Sequence, residues 1–97
     1  MTYSLKFGKS AWAEWQSLDS SVRTRFKQVL ARRLEIPCIE SARLHGMPNC
    51  YKIKLRTLGY RLVYQVDDGI VTVTVVAVGK RERCEVYQNA GKRLNDP

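Results

Sequence analysis

Apolar and polar residues alternate along three consecutive stretches in the second half of the chain. The first, residues 51–56, reads YKIKLR, and residues 60–66 and 70–78 follow the same trend with many β-branched side chains. Such alternation is typical of half-buried strands. The Asp68-Gly69 pair between the second and third stretches is a strong hairpin signal. The sequence therefore predicts an antiparallel meander of three strands.

A register for this meander follows if Leu58-Gly59 and Asp68-Gly69 form its two-residue loops. Arg56 then lies opposite Arg61, and Val76 lies beside Arg61 on the third strand. The other expected partners are Lys54 with Val63, Lys52 with Gln65, Val63 with Thr74, and Gln65 with Thr72. The cations and threonines then share one solvated face. The other, buried face carries Tyr51, Ile53, Leu55, Tyr60, Leu62, Tyr64, Val66, Val71, Val73 and Val75.

Two helices are predicted before the meander. Helical spacing relates Ala11, Trp12, Trp15 and Leu18. We interpret both tryptophans as core anchors. The second helix begins after the capping residues 19–21 and ends before Pro37, which bars its continuation. Its apolar stripe consists of Val22, Phe26, Val29, Leu30 and Leu34.

The two ends of the chain complete the predicted fold. Residues 2–7 read as a first strand with Tyr3, Leu5 and Phe7 inward, and a short helix that Gly91 weakens ends near residue 93. The expected fold class is α+β, in the order β-α-α-β-β-β-α, with both N-terminal helices on the apolar face of an antiparallel sheet. A length of 97 residues suits a single domain, residues 1–97.

The charge of the chain indicates an anionic partner. Seventeen Lys and Arg residues against nine Asp and Glu give a formal net charge of +8. No acidic residue occurs between Ser41 and Val66, so the cations of the first two meander strands have no local counter-charge. Nucleic acid fits this pattern best. An anionic membrane surface or an acidic protein also matches the net charge.

The cysteines and the single histidine indicate neither disulfides nor a metal. Cys38, Cys50 and Cys84 are odd in number, widely spaced and without a CxxC pattern. With no signal peptide or transmembrane run, they predict reduced thiols in a cytoplasmic protein. His45 has no cysteine pair nearby. We therefore expect neither a metal nor another cofactor.

The chemistry available to the basic face is that of Lys, Arg and Tyr. No Ser/His/Asp set, carboxylate pair or Gly-rich phosphate loop is visible. This residue set suits attack of an RNA 2′-hydroxyl on its own 3′ phosphate, because the nucleophile belongs to the substrate. Arginines clamp phosphate oxygens, and crowded lysines or a tyrosine beside arginines have the lowered pKa that a base requires. The same residues are equally suited to binding phosphates without catalysis.

Three runs of the sequence resemble a known family. They read GMPNCYKIKLR at residues 46–56, GYRLVYQV at 59–66 and VGKRER at 78–83. The chain closely resembles the RelE toxins of bacterial type II toxin–antitoxin systems, within the RelE/ParE superfamily, over essentially its whole length. The resemblance implies a fold like that of small microbial ribonucleases. It also implies an endoribonuclease that cuts mRNA in the ribosomal A site, with the 2′-hydroxyl as nucleophile and a cyclic phosphate as product.

The resemblance also assigns site residues. The catalytic set that it implies consists of Lys52, Lys54, Arg61, Arg81 and Tyr87. Arg61 and Arg81 are expected to stabilise the phosphorane, with Arg81 near the leaving oxygen. The base, charge-stabilising and positioning roles stay unassigned among the other three. Further RNA contacts are expected from Arg56, Lys80, Arg83, Arg23, Arg25, Arg32 and Arg33.

Partners follow from the resemblance as well. They are mRNA on the ribosome, 16S rRNA and a cognate RelB-type antitoxin, with operator DNA bound through the antitoxin complex and no membrane. Two alternative functions share the charge pattern. One is a non-catalytic basic protein that binds RNA or the ribosome. The other is a DNA-binding regulator, for which the arginine-rich second helix is a poor candidate because its apolar stripe is needed in the core.

Overall fold

The computed structural model describes residues 2–80 and 85–95, which form a four-stranded sheet flanked by helices on both faces. In chain order the elements are β1 (Ser4–Phe7), α1 (Lys9–Gln16), α2 (Ser20–Glu35), β2 (Cys50–Leu55), β3 (Tyr60–Asp67), β4 (Thr72–Lys80) and α3 (Glu85–Asn95). A single 3-10 turn, Glu40–Ala42, lies between α2 and β2. The predicted order of strands and helices is confirmed. Among the described helices, none has the length and apolarity needed to cross a membrane.

The sheet is mixed, with the strand order β1-β4-β3-β2. β2, β3 and β4 form the predicted antiparallel meander. β1 instead pairs in parallel with β4, from Ser4 beside Thr72 to Phe7 beside Val75. Strands that run in the same direction need a long crossover connection, which α1 and α2 supply between β1 and β2. Because β4 also runs with β2, β1 adds to it in parallel, and the expectation of a wholly antiparallel sheet is wrong for β1.

The register of the β2–β3 hairpin differs from the predicted one by two residues. The observed partners are Lys54 with Arg61, Lys52 with Val63, and Cys50 with Gln65. Residues 56–59 form a four-residue turn, in which the Gly59 N–H donates to the Leu55 carbonyl at 2.8 Å. Gly59 has a φ of 74°, a left-handed conformation that glycine adopts without strain. A shift of two residues preserves the faces, so the predicted division into basic and apolar sides still holds.

The β3–β4 register also differs from the prediction. The observed partners include Asp67 with Thr72, Gln65 with Thr74, Val63 with Ala77, and Arg61 with Gly79. The Asp67 carboxylate accepts the Gly69 N–H at 3.0 Å and lengthens the turn to residues 68–71. A bulge then leaves Val76 without a partner on β3. Gly79, and not Val76, therefore lies beside Arg61.

The main core lies between the sheet and the two N-terminal helices. Trp15 and Phe26 are buried there against the apolar face of the meander. Trp12 is 46% exposed and packs edge-on against Phe7, with ring centroids 5.2 Å apart. Leu5 is 39% exposed. Trp15 is therefore a core anchor as predicted, whereas Trp12 and Leu5 lie largely at the surface.

α3 covers part of the opposite face, which the sequence predicted to be solvated. A second buried cluster forms between them from Cys50, Val63, Val76, Ala77, Val86 and Ala90. Gly79 allows the close approach of α3, because a Cβ at this position would lie 3.3 Å from Val86 Cγ2. The part of this face that carries the β2 cations remains open.

Candidate functional site

Four cations lie on one face of the β2–β3 hairpin, beside the area that α3 covers. Lys54 faces Arg61 directly, Lys52 precedes Lys54 by two residues, and Arg56 follows in the turn. Lys52 and Arg61 are half-buried, while Lys54 and Arg56 are exposed. Facing like charges destabilise a hairpin, and a bound polyanion relieves that repulsion. We call these four residues the basic strip.

The basic strip lowers the pKa of Lys54 below the ordinary value of a lysine. The largest cause is the positive charge of Lys52, followed by partial loss of hydration and then by the charges of Arg61 and Arg56. A lowered ammonium pKa increases the fraction of neutral amine near neutral pH. Neutral amine accepts a proton, so Lys54 has the chemistry of a general base.

Tyr87 lies on α3 and shares the face of the basic strip. Its ring packs against the second cluster, which includes Val63, the strand partner of Lys52. The Tyr87 hydroxyl is buried and has no hydrogen-bond partner within residues 2–80 and 85–95. A buried hydroxyl without a partner is uncommon in folded proteins. Among the described residues, this hydroxyl therefore lacks the hydrogen bond that a buried tyrosine usually makes.

Two grooves extend the basic strip along the outer edge of β2. One, of about 320 Å³, is lined by Arg33, Ser41, Ala42, Lys52, Lys54 and Arg56. The other, of about 610 Å³, is lined by Arg25, Val29, Lys54, Leu55, Arg56, Thr57 and Leu58. Neither lining contains a carboxylate. The structure thus brings Arg25 and Arg33 of α2 next to the basic strip, in a surface suited to phosphates.

Arg33 has a structural role in addition to its charge. Its Nη1 donates to the Lys52 carbonyl at 3.1 Å and to the Tyr64 hydroxyl at 2.9 Å. The guanidinium also lies over the Tyr64 ring, 5.8 Å from its centroid. Tyr64 in turn donates to the Pro37 carbonyl at 2.7 Å. Arg33 therefore holds the outer edge of β2 in place at Lys52.

Three of the predicted RNA-binding residues lie away from this surface. Arg23 is half-buried and donates to the carbonyls of Gln16 and Leu18, at 3.1 and 2.7 Å, at the end of α1. Arg23 therefore has a structural role at the end of α1, and its RNA contact stays a prediction. Arg32 is exposed but lines neither groove. Lys80 pairs with Tyr60 and so shares the face of the apolar side chains rather than that of Arg61.

Arg81 and Arg83 lie outside the described residues, so their predicted roles stay predictions. The groove residues Ser41 and Leu58 were not predicted from the sequence. They lie in turns, where no periodic pattern marks a residue as part of a site. In the described part of the chain, no group of three or more His, Cys, Asp or Glu side chains is arranged to hold a metal ion.

Comparison with known proteins places this architecture in a family. Residues 5–84 match the model of the ParE toxin of type II toxin–antitoxin systems. The chain is 56% identical to the mRNA interferase toxin RelE of Escherichia coli K12, over 97% of this chain and 99% of the relative.

Solved structures agree with that match. A mutant of E. coli toxin RelE in the free state has a TM-score of 0.90 at 54% identity, with 97% of this chain and 99% of that chain covered. The toxin in the intact E. coli RelBE toxin–antitoxin complex has a TM-score of 0.80 at 56% identity, with 84% and 99% covered. The chain therefore belongs to the RelE/ParE superfamily of type II toxin–antitoxin toxins. Within it, the chain is one of the RelE toxins, as the sequence resemblance implied.

Proposed function

We propose that the protein is the toxin of a type II toxin–antitoxin system and acts as an endoribonuclease on mRNA in the ribosomal A site. The observation that carries the proposal is the basic strip, in which Lys52 lowers the pKa of Lys54 on the face that Tyr87 shares. The relative at 56% identity is named an mRNA interferase, which supports the same activity here.

The proposed reaction requires no nucleophile from the protein. The RNA 2′-oxygen bonds to the adjacent phosphorus, the bond from phosphorus to the 5′-oxygen breaks, and a 2′,3′-cyclic phosphate and a 5′-hydroxyl result. Lys54 as neutral amine takes the proton of the 2′-hydroxyl. Arg61 and Lys52 stabilise the charge that develops on the phosphorane. We assign to the Tyr87 hydroxyl, which is buried and without a partner among the described residues, a hydrogen bond that orients the substrate after a small shift of the side chains that bury it.

Protonation of the leaving 5′-oxygen completes the reaction, and by the family resemblance we assign it to Arg81 or a group that Arg81 orients. The cations supply the charge stabilisation that a metal provides in other nucleases. The proposal is therefore a metal-independent endoribonuclease.

We propose that the protein binds RNA and an antitoxin directly, and operator DNA through the antitoxin. Arg25 and Arg33 extend the basic strip along the grooves, where ribosomal or messenger RNA phosphates fit. The related E. coli toxin forms a complex with RelB, and a mutant of it binds a RelB peptide. A RelB-type antitoxin is accordingly the proposed inhibitor, and operator DNA is bound through the complex of the two.

Toeprinting on translating ribosomes tests the activity. We expect added protein to produce a cut within the A-site codon, and naked RNA of the same sequence to be cut far more slowly. Without the ribosome, nothing holds the 2′-oxygen in line with the leaving oxygen. Lys6→Ala is the control and should cut as the wild-type protein does, because Lys6 is an exposed cation on β1, at the other edge of the sheet. Equal cutting of naked and ribosome-bound RNA would contradict the proposal.

A non-catalytic RNA- or ribosome-binding protein is the second candidate. The observation in its favour is that both grooves offer cations to phosphates whatever chemistry follows. This candidate predicts tight ribosome binding with intact RNA, and binding that Tyr87→Phe leaves unchanged. The toeprinting experiment separates the two candidates directly.

A further inference from the structure

Beyond the residues that pair with β1, the edge of β4 has no neighbouring strand among the described residues. Two side chains bond to its backbone there instead. β1 pairs with residues 72–75 of β4, whereas β4 continues to Lys80. Beyond Val75, the described residues place no strand on that side. The Val76 carbonyl and the Val78 N–H nevertheless have partners there, the side chains of Arg93 and Glu14.

Glu14 and Arg93 join α1, β4 and α3 at this point. Arg93 Nη1 and Nη2 donate to Glu14 Oε1 and Oε2 at 2.8 and 3.0 Å, a two-pronged pairing of guanidinium and carboxylate. Arg93 Nη1 also donates to the Val76 carbonyl at 2.8 Å, and Glu14 Oε1 accepts the Val78 N–H at 3.2 Å. Both side chains are less than a third exposed. The four bonds form a clasp, defined by Glu14, Arg93, Val76 and Val78.

Apart from the clasp, α3 is held by a narrow apolar stripe. Val86 and Ala90 are buried and Leu94 is half-buried, at a spacing of four residues. Ala90 contributes only a methyl group to this contact. Among the ion pairs in the described part of the chain, the Arg93–Glu14 pair is the one that involves α3. The ring of Tyr87 packs against the same cluster, so the apolar contact holds α3 against the sheet and the clasp fixes its C-terminal part.

We propose that Glu14 is a positioning residue for the reaction, which acts through Arg93 to hold α3 so that Tyr87 stays on the face of the basic strip. The inference rests on the proposed function, in which the Tyr87 hydroxyl touches the substrate. Arg93 and Tyr87 are six residues apart, about 9 Å along a rigid helix. A shift of α3 at the clasp therefore moves Tyr87. A misplacement of about 1 Å is enough to cost roughly a hundredfold in rate.

The test combines cleavage kinetics with hydrogen exchange on the full chain. We expect Glu14→Ala to lower the single-turnover rate on ribosome-bound message, at saturating protein, by about ten- to a hundredfold. The concentration for half-maximal cleavage stays within about twofold, because the cations that dock the RNA are untouched. Amide exchange speeds up in residues 85–95 and stays slow in β3. Arg93→Lys, which keeps the charge and one donor group, should lower the rate less than Glu14→Ala does.

Glu40→Ala is the matched control, because it removes the carboxylate of the exposed Arg43–Glu40 pair, at 3.2 Å. It should leave both the saturated rate and the α3 exchange unchanged. If Glu14→Ala does not fold, Glu14→Gln replaces it, since the amide oxygen still accepts the Val78 N–H. Wild-type exchange in α3, or a normal saturated rate with a loosened α3, would overturn the inference. If the wild-type protein cuts nothing, the proposed function fails, while the exchange result still decides whether the clasp holds α3.

Discussion

At the scale of single residues, the site depends on charges held close together. Lys54 is exposed, and its pKa is lowered chiefly by Lys52, a neighbour two residues away on the same strand. Alternation along the strand forces this proximity, because residues i and i+2 share a face. The same spacing that separates a buried face from a solvated one therefore also produces a candidate base.

The pH dependence of cleavage tests this coupling. The positive charge of Lys52 penalises protonated Lys54, so Lys52→Ala should raise the pKa of Lys54. Cleavage by neutral amine rises with pH through that pKa. We therefore expect the inflection of the single-turnover rate against pH to move to higher pH in Lys52→Ala. An inflection that stays in place would show that Lys54 is not the base.

Arg23 and Arg32 form a second residue-level comparison. Arg23→Ala removes both bonds to the end of α1, and we expect it to lower the free energy of unfolding by roughly 1–2 kcal/mol. Arg32→Ala, at an exposed position without such bonds, should change it by less than about 0.5 kcal/mol. Urea denaturation measures both. Equal stability of the two variants would rule out a structural role for Arg23.

At the scale of elements, α3 changes the character of the basic face. The sequence predicts its helical spacing but not where it packs, because Val86 and Ala90 meet residues on β2, β3 and β4 that are distant along the chain. The consequence is a face of which one part is core and the other an open, basic surface.

Replacing either of two glycines at α3 by alanine should change the stability of the fold, in opposite directions. Gly79→Ala places a Cβ 3.3 Å from Val86 Cγ2, so we expect it to push α3 outward and destabilise the fold by about 1 kcal/mol. Gly91→Ala meets Met47 Sδ at 3.9 Å, an ordinary contact, and favours the helix. It should stabilise the fold by up to about 1 kcal/mol. Thermal unfolding of both variants distinguishes them, and a gain in stability for Gly79→Ala would contradict the close approach.

At the scale of the whole molecule, the net charge of +8 includes a local excess of cations around the basic strip. The basic strip and both grooves place cations from α2, β2 and β3 on a connected surface. Neutralised phosphates release counterions, so binding of such a surface to RNA weakens steeply as salt increases.

The salt dependence of ribosome binding measures how many phosphates this surface neutralises. The double variant Arg25→Ala with Arg56→Ala should make the negative slope of log K against log salt shallower, by about 0.7 for each phosphate that the variant no longer neutralises. Arg32→Ala, outside both grooves, should leave the slope unchanged. Identical slopes for the double variant and the wild-type protein would show that RNA does not follow the grooves.

The sequence predicted the faces of the sheet better than its registers. Alternation decides which side chains share a face, and a shift of two residues leaves that division intact. The registers were wrong because they depend on local bonds in the turns, such as the one from Gly69 to the Asp67 carboxylate. The clasp was missed because Glu14 and Arg93 are 79 positions apart, and no periodic pattern relates residues at that distance.

The parallel pairing of β1 with β4 has a consequence for the synthesis of the chain. In the described structure β1, near the start, meets its partner strand only at Thr72 and beyond. Contacts between such distant segments form late in folding, because a long loop must close before they gain anything. A nascent chain that has emerged only as far as β3 therefore has no edge on which to dock β1. The basic strip is then complete in sequence but unsupported on one side, so we expect activity to appear only after β4 has been synthesised.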